Sequence, residues 1–541
     1  MNQIERKIFL ILLLLLVNTK SIYSQVNQEW SAFYNYNNGD GGFRFISIDN
    51  SGSIIVAGGI ASNSGDYLTI KYNSSGVQQW ISTYNGAAND KDSPFAITVD
   101  DLNNIYVTGW SKGIGTNYDF ATIKYNSSGV QQWVARYNGT GNLEDLAYAI
   151  AVDSLYNVYV TGQTLSDTIT LGNDMITIKY NLAGVQQWVK TYHGSRYRGW
   201  DCSKSVTIDR SNNIYITGFS SDSVTGQSFA TIKYDQNGIQ QWVANYNGAN
   251  PGIDEARFIK VDENSNVYVS GYSEGAMRYD DYATVKYNSQ GVEQWARKYD
   301  GSAHFIDHIW GMAIDNLGNV YVTGYSTETG TGYDYTTIKY NSIGEQIWLR
   351  RYNNGLNDIP QDIKIDNLGN IYITGQSDGS GTDDDFATIK YDSSGNQKWV
   401  IRYNYAGQSV DESRAIALDI LGNVYVTGYS NRDFLTIKYS QLTGVNPVIS
   451  ELQTEFKLHQ NYPNPFNPNT IINYQLSMVS NVNLKVYNVL GNEVRTVVNK
   501  KQNAGSYEVE FDGEGLPSGI YFYSLLIDGN IIDTKRMILL K

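Results

Sequence analysis

The chain has 541 residues, 40 Lys and Arg against 54 Asp and Glu, and a formal net charge of −14. Such a length exceeds one ordinary core, and the acidic balance repels nucleic-acid phosphates and anionic lipid, which excludes both as partners. The single Cys, Cys202, excludes an internal disulfide, so stability rests on packing.

Arg6 and Lys7 precede the apolar run from Ile8 to Val17. Ten residues are too few to span a bilayer but suit the apolar part of a signal peptide. The small residue Ser24 sets the expected cut, giving a signal peptide over 1–24 and Gln25 as the new N-terminus. No later apolar run is long enough to cross a membrane, so no span is expected after signal removal, and no Cys near the cut offers a lipid anchor.

From there a unit of about 53 residues recurs. Asn104 to Tyr137 holds three period-two runs, NIYVTG, FATIKY and GVQQWVARY, and FAITVD at Phe95 to Asp100 precedes them across the turn Asp101 to Asn104. Alternating β-branched and aromatic residues mark strands, so each unit is a four-stranded antiparallel meander. The Gly closing the second strand falls at 58, 109, 162, 218, 271, 324, 375 and 428. The third strand carries Lys71, Lys124, Lys179, Lys233, Lys286, Lys339, Lys390 and Lys438, each followed by Tyr. The fourth strand carries Trp80, Trp133, Trp188, Trp242, Trp295, Trp348 and Trp399, and the eighth copy has none. The spare strand QEWSAFYNYNNG around Trp30 supplies it. An N-terminal strand that completes the last unit predicts an all-β, eight-bladed propeller over 25–440, closed without an open sheet edge.

The string Asp315-Asn316-Leu317-Gly318-Asn319-Val320-Tyr321-Val322-Thr323-Gly324 resembles the SBBP type of bacterial β-propeller repeat. The likeness covers roughly residues 28 to 440. It implies a fold and leaves activity open.

Within each copy the first-to-second and third-to-fourth connections are tight turns, whereas the others are long and variable, so ligand contacts are expected on the face bearing the variable loops. Eight of the eleven Trp belong to the repeat and read as packing. Trp110, Trp200 and Trp310 do not repeat, and flat aromatic faces among Asp and Asn suit sugar rings. Ser195 to Cys202 is the most irregular segment and adds Arg196, Tyr197 and Arg198 to Trp200 as candidate contacts.

Three strings, at Gly109 to Gly113, Gly271 to Gly275 and Gly375 to Gly379, spell G-x-S-x-G. They recur with the repeat and lead into a strand rather than a helix, so no catalytic Ser is expected. His304 and His308 flank Asp307 in a blade-to-blade segment where their spacing fixes no zinc geometry. Two series of repeated Asp, one at 66, 119, 174, 281, 334, 385 and 433 and one at 92, 145, 201, 254, 307, 358 and 411, read as acceptors for loop N–H groups. The alternative is Ca²⁺, with Asp383, Asp384 and Asp385 as the densest carboxylates. No other cofactor is implied.

Beyond Lys438 the composition changes. Residues 441–455 read as a linker, and 456–541 hold short alternating segments expected to form an immunoglobulin-like sandwich of about seven strands. The run Asn461-Tyr462-Pro463-Asn464-Pro465-Phe466-Asn467-Pro468, followed by VNLKVYNVLGNEV, GIYFYSLLIDG and the terminal KRMILLK, resembles the type A C-terminal sorting domain of type IX secretion cargo. That likeness implies passage through the periplasm, the type IX secretion machinery and its sortase as partners, and a final place outside a Gram-negative cell or on its surface. Two function classes follow: a binding protein for a glycan, polymer or protein, and a secreted propeller enzyme, a hydrolase or lyase acting on polysaccharide. A catalytic centre needs acid, base or metal groups that break the repeat in one or two copies. None stands out in the sequence, which favours binding.

Overall fold

The computed structural model describes residues 25–35, 40–61, 65–165, 172–196, 199–223, 226–248, 252–275, 277–379, 382–405, 409–442, 456–461, 463–476, 480–502, 505–527 and 529–540. The expected signal peptide, residues 443–455 of the expected linker, and Tyr197, Arg198 and Tyr462 lie outside the described residues. All regular elements among the described residues are strands, and no helix there is long and apolar enough to cross a membrane. The chain divides into two compact units, Met1–Leu442 and Thr443–Lys541.

In the first unit, antiparallel strands follow one another in chain order to build four-stranded sheets. Their first strands are Asp40–Ile48, Asp92–Val99, Asp145–Val152, Cys202–Ile208, Gly252–Val261, Asp307–Ile314, Asp358–Ile365 and Asp411–Leu418, and the sheets are numbered in that order below. The eighth set takes its fourth strand from the N-terminus: Gln25–Tyr34 pairs with Asp433–Leu442, aligning Trp30 with Lys438 and Tyr34 with Phe434. This pairing carries the strand through Gln441 and Leu442, past the expected start of the linker. The fourth and fifth sets merge into one eight-stranded sheet through a short parallel pairing of Gly226 and Gln227 with Gly252 and Ile253.

The Asp, Asn and Tyr of the repeat string each have a bonding reason. Asp315 Oδ1 accepts the N–H groups of Leu317 and Asn319 at 2.9 Å, while Oδ2 accepts the Asn319 amide at 2.7 Å and the Tyr321 hydroxyl at 3.0 Å. An Asp side chain that caps its own turn in this way fixes the hairpin. The Tyr321 ring lies under Lys339 Nζ at 5.0 Å and beside Trp348 at 5.9 Å.

Trp and Lys then reach the next sheet. Trp348 Nε1 and Lys339 Nζ both donate to Ser393 O, at 3.3 and 3.1 Å, and Trp30 Nε1 and Lys438 Nζ both donate to Ser74 O at 3.1 Å. The repeated Trp are packing residues, as their regularity suggests. Each buried apolar cluster joins one sheet to its successor, such as Ile55, Ala57 and Tyr67 with Ile105, Val107 and Ala121. Phe43, Ile54 and Val56 of the first sheet share theirs with Tyr425 and Phe434 of the eighth. The first strands also lie against one another in succession, and Asp411–Leu418 lies against Asp40–Ile48.

The turn glycine below each Trp answers a steric demand. Gly344 has φ +82°, and a Cβ there would stand 2.7 Å from the Trp295 ring. Gly422, with φ +77°, has nothing within 4 Å. Gly422→Ala is therefore expected to cost only the left-handed strain, about 1–2 kcal/mol, and Gly344→Ala a further ~1–3 kcal/mol of overpacking. Urea midpoints check this, and equal losses would show that the Trp contact contributes nothing.

Among the described residues the second unit holds seven strands in two antiparallel sheets. Lys457–Leu458, Asn469–Leu476 and Gly505–Asp512 make one, and Ser480–Tyr487, Glu493–Gln502, Gly519–Ile527 and Asn530–Leu539 the other. Both contribute to one core, with Ile472, Tyr474 and Phe511 against Leu484, Tyr523 and Met537. The Pro-rich run is strapped to the last strand: Phe466 is buried, its N–H donates to Ile538 O at 2.9 Å, and its carbonyl accepts from Leu540 N at 3.0 Å. Asn464 Oδ1 accepts from Ile538 N at 2.9 Å.

Candidate functional site

The first strand of every sheet in the propeller unit carries a β-bulge in the same register. The bulged residue is Arg44, Phe95, Tyr148 or Lys204 in the first four sheets and Arg257, Trp310, Gln361 or Arg414 in the last four. A bulge leaves one residue out of the ladder and re-aims its side chain, so these eight positions escape the packing rules that hold the other residues alike. Their side chains meet between sheets. The Phe95 and Tyr148 rings touch edge-on at 5.3 Å, Lys204 Nζ lies 4.4 Å above the Tyr148 ring, and the Arg257 guanidinium lies 5.6 Å from the Trp310 ring.

The fifth and sixth sheets extend this contact outward. Arg257 also lies over Tyr272 at 5.2 Å and pairs with Glu255 at 3.2 Å, and Tyr272 Oη donates to Glu255 Oε2 at 2.7 Å. Tyr272 stacks on His308, with centroids 4.4 Å apart and planes 7° from parallel. His308 meets Tyr325 at 5.5 Å, and Tyr325 meets Tyr333 at 4.5 Å. Tyr333 then enters a cleft of about 330 Å³ whose other walls include Tyr279, Phe305, Ile306, Thr327 and Asn357. Tyr279 and Phe305 touch edge-on at 5.2 Å and remain 38% and 49% exposed.

Rings and one guanidinium thus form a continuous run from an open cleft to the bulge at Trp310. Among the described residues no acceptor meets the buried Trp310 indole N–H, a group that donates and cannot accept. Burial is the main cause that pushes the Tyr272 hydroxyl far above its ordinary value, with the Glu255 charge next.

The candidates read from the sequence fall in different places. Trp310 stands on this run. Trp110 lies in Ile105–Lys112, paired across the strands with Ser93, and packs on Tyr118 at 4.4 Å. Trp200, 56% exposed, forms an isolated bridge with Asn173 and exchanges hydrogen bonds with Ser221. Arg196 is exposed, and its N–H donates to Ser221 O. Among the described residues no ring contact joins Trp110, Trp200 and Trp310.

His304 and His308 bind different carboxylates, Asp300 at 2.7 Å and Asp280 at 2.6 Å. Ser111, Ser273 and Ser377 of the G-x-S-x-G strings are fully buried strand residues. Ser377 Oγ donates to Asp358, and Ser111 Oγ accepts from Arg136 at 2.6 Å.

The second Asp series accepts loop N–H groups in all seven copies, for example Gly86 to Asp92 and Gly301 to Asp307, both at 2.6 Å, and Tyr405 to Asp411 at 2.9 Å. The first sheet has Gly41 at the equivalent register. Burial pushes the Asp145, Asp281 and Asp307 carboxyls up to about 6. Oxygens of Asp281, Asp300 and Asp307 come within 4.8 Å of one another, with Lys298 Nζ 3.4 Å from Asp281.

Asp383, Asp384 and Asp385 are consecutive in Thr382–Tyr391, so their side chains alternate across the sheet. Asp385 pairs with Arg402 at 2.7 Å. Asp384 accepts from Gln376 at 2.9 Å, and burial, followed by the neighbouring Asp378, pushes its carboxyl up to about 7.

Residues 460–540 match the family described as a secretion system C-terminal sorting domain. Residues 81–116, 309–330, 347–381 and 398–434 match the beta-propeller repeat SBBP. A curated relative, an uncharacterized WD repeat-containing protein of Acanthamoeba polyphaga mimivirus, is 23% identical across 62% of this chain and 35% of its own length. The chain therefore spans about a third of that relative. Among solved structures, a catalytically inactive virginiamycin B lyase from Staphylococcus aureus with quinupristin is similar at a TM-score of 0.36 and 10% identity, over 77% of this chain and 99% of its own. A protein of unknown function from Bacteroides caccae is similar at a TM-score of 0.32 and 9% identity, over 58% of this chain and 94% of its own.

Proposed function

We propose that this chain, a β-propeller repeat protein whose type IX sorting domain directs it to the cell surface or the extracellular space, is a binding protein that holds a glycan along its fifth and sixth sheets. The eight sets of strands are read as blades of a ring that the N-terminal strand closes. Support comes from the pairing of Gln25–Tyr34 with Asp433–Leu442 and from the contact between the first strands of the eighth and first sheets. The second unit is read as an immunoglobulin-like sandwich, which its two sheets over one core support.

The observation that carries the binding reading is the run from the Tyr279–Phe305–Tyr333 cleft through Tyr325, His308 and Tyr272 to Arg257 and Trp310. It breaks the repeat in one sector. Exposed ring faces next to Asn357, Thr327 and the Asp280–His308 pair offer apolar area and hydrogen bonds together, as a sugar requires. Polymer and protein ligands are outcomes of the same screen, and Trp110, Trp200 and Arg196 are secondary contacts in this reading.

A glycan array probed with the full exported chain identifies the ligand. Tyr333→Ala is then expected to weaken binding of the best neutral oligosaccharide at least tenfold, about 1–3 kcal/mol for a lost ring contact, with an unchanged melting curve. Equal affinity would overturn this site. One observation favours a second reading, an enzyme acting on polysaccharide: Asp280 orients the His308 imidazole beside Tyr272, an arrangement able to hold and pass a proton. Release of new reducing or unsaturated ends from array hits, abolished by His308→Ala, would decide for it.

A further inference from the structure

Among the described residues that line the cleft no side chain is charged, and the rings most open to solvent are Tyr279 and Phe305. Two short segments carry those rings. Tyr279 closes a turn in which its carbonyl accepts from Gly275 N at 2.6 Å, and Phe305 follows a turn in which His304 N donates to Gly301 O at 3.0 Å. The rings meet edge-on at 5.2 Å. The same two segments bring their acids together, since Asp281, Asp300 and Asp307 each set one carboxylate oxygen within 4.8 Å of the others. The ring pair and the acidic group are thus two products of one contact.

The acids differ in what they have left to offer. Asp307 uses both oxygens inside, accepting from Gly301 N at 2.6 Å and Thr327 N at 3.1 Å, and Asp281 meets Lys298 Nζ at 3.4 Å. Asp280 and Asp300 each take one histidine nitrogen on Oδ2, at 2.6 and 2.7 Å, and their side chains stay 28% and 42% exposed. Among the described residues nothing bonds either Oδ1. Residues 274–281 and 298–308 set Glu274, Asp280, Asp281, Asp300 and Asp307 against Arg278 and Lys298, and Lys298 Nζ also donates to Glu274 O at 3.1 Å. An uncharged hollow walled by rings beside a surplus of carboxylate suits a cation that has an apolar face.

We infer that the ligand of this cleft is a cationic amino sugar, one pyranose ring of which lies on Tyr279 and Phe305 while its ammonium group pairs with the Oδ1 atoms of Asp280 and Asp300. The C–H face of the sugar meets the rings, and the ammonium, in place of a ring hydroxyl, projects from the edge toward the acids. A neutral sugar shares the ring contact and lacks the charge. The positive charge of the ligand is read from the carboxylates, and its belonging to a sugar rests on the glycan reading above.

The test is calorimetric titration of the full exported chain with β-1,4-linked trimers of glucosamine, N-acetylglucosamine and glucose, and with trilysine, at matched ionic strength. The glucosamine trimer is expected to bind about tenfold or more tighter than either neutral trimer, and added salt should shrink that preference without weakening the neutral trimers. Asp280→Asn and Asp300→Asn should each cut the preference by roughly threefold, leaving neutral binding and the melting curve unchanged. Asp300 is exposed, so its variant decides the matter even where Asp280→Asn unsettles His308. Amine and neutral trimers binding equally, or a preference that Asp300→Asn leaves intact, would overturn the cationic ligand and leave the glycan reading standing. Trilysine binding as tightly as the glucosamine trimer would overturn the sugar in favour of a basic peptide. Binding of no trimer, with array hits that Tyr333→Ala abolishes, would overturn the amino sugar alone, and the absence of any array hit would overturn the glycan reading with it.

Discussion

Deletion of residues 25–36 from the exported chain is expected to lower its melting temperature by roughly 10 °C or more. Gln25–Tyr34 supplies the fourth strand of the eighth sheet, in register with Asp433–Leu442 from Tyr34 against Phe434 to Gln25 against Leu442. Its Trp30 packs between Tyr72 at 6.3 Å and Tyr425 at 6.1 Å and bonds Ser74 O. Without this strand, Asp433–Leu442 becomes a bare edge and the apolar surface of Ile54, Val56 and Phe434 loses its cover. Trp30→Ala keeps the ladder and loses only the side chain, so it should cost less, about 3–5 kcal/mol. Differential scanning calorimetry compares the three chains. A deletion that melts with the parent would refute closure by the N-terminal strand.

Truncation after Leu442 is expected to trap the propeller unit in the periplasm of the producing cell, with a loss from the medium and surface of more than about tenfold. Leu442 ends both the last strand of the first unit and the unit itself, so the cut removes the sorting domain without opening a sheet. The missing part is a self-contained recognition body. It buries Leu458, Phe466, Tyr523 and Leu539 in one core and ties its Pro-rich strap to its final strand through Phe466 and Asn464. Cell fractionation with an antibody to the propeller measures the outcome. Normal appearance outside the cell would refute the sorting role, and the small unit would then be an accessory module.

Strand content and order were legible because the repeat writes them eight times. Asn319 and Tyr321 both bond Asp315 within seven residues, and Trp348 and Lys339 reach one carbonyl in the next copy, so these types recur through most of the copies and the period shows. Trp30 was legible as a displaced strand for the same reason. The site was less so. Trp310 stood out as a Trp off the repeat, but Tyr272, Tyr325 and Tyr333 did not, since Tyr is common in this chain and only the tertiary contact makes a run of them. The bulge could not be read at all. A period-two pattern assigns alternate residues to alternate faces, and a register shift between Pro94 and Ala96, or between Ile309 and Gly311, changes that assignment without changing the pattern. Trp200 shows the converse, an irregular stretch that ties itself to Ser221 and Asn173 and joins no run of rings among the described residues.

The repeated bulge separates what each copy must keep from what it is free to change. Capping Asp, Tyr, Lys and Trp hold the framework, while Arg44, Phe95, Tyr148, Lys204, Arg257, Trp310, Gln361 and Arg414 occupy one equivalent seat with cationic, aromatic and amide side chains. A mutation in that seat leaves the ladder bonds alone. On the binding reading proposed above, the fold is a display rack with eight equivalent places, in which recognition would change by reseating one residue at a time, with little risk to the frame that presents it.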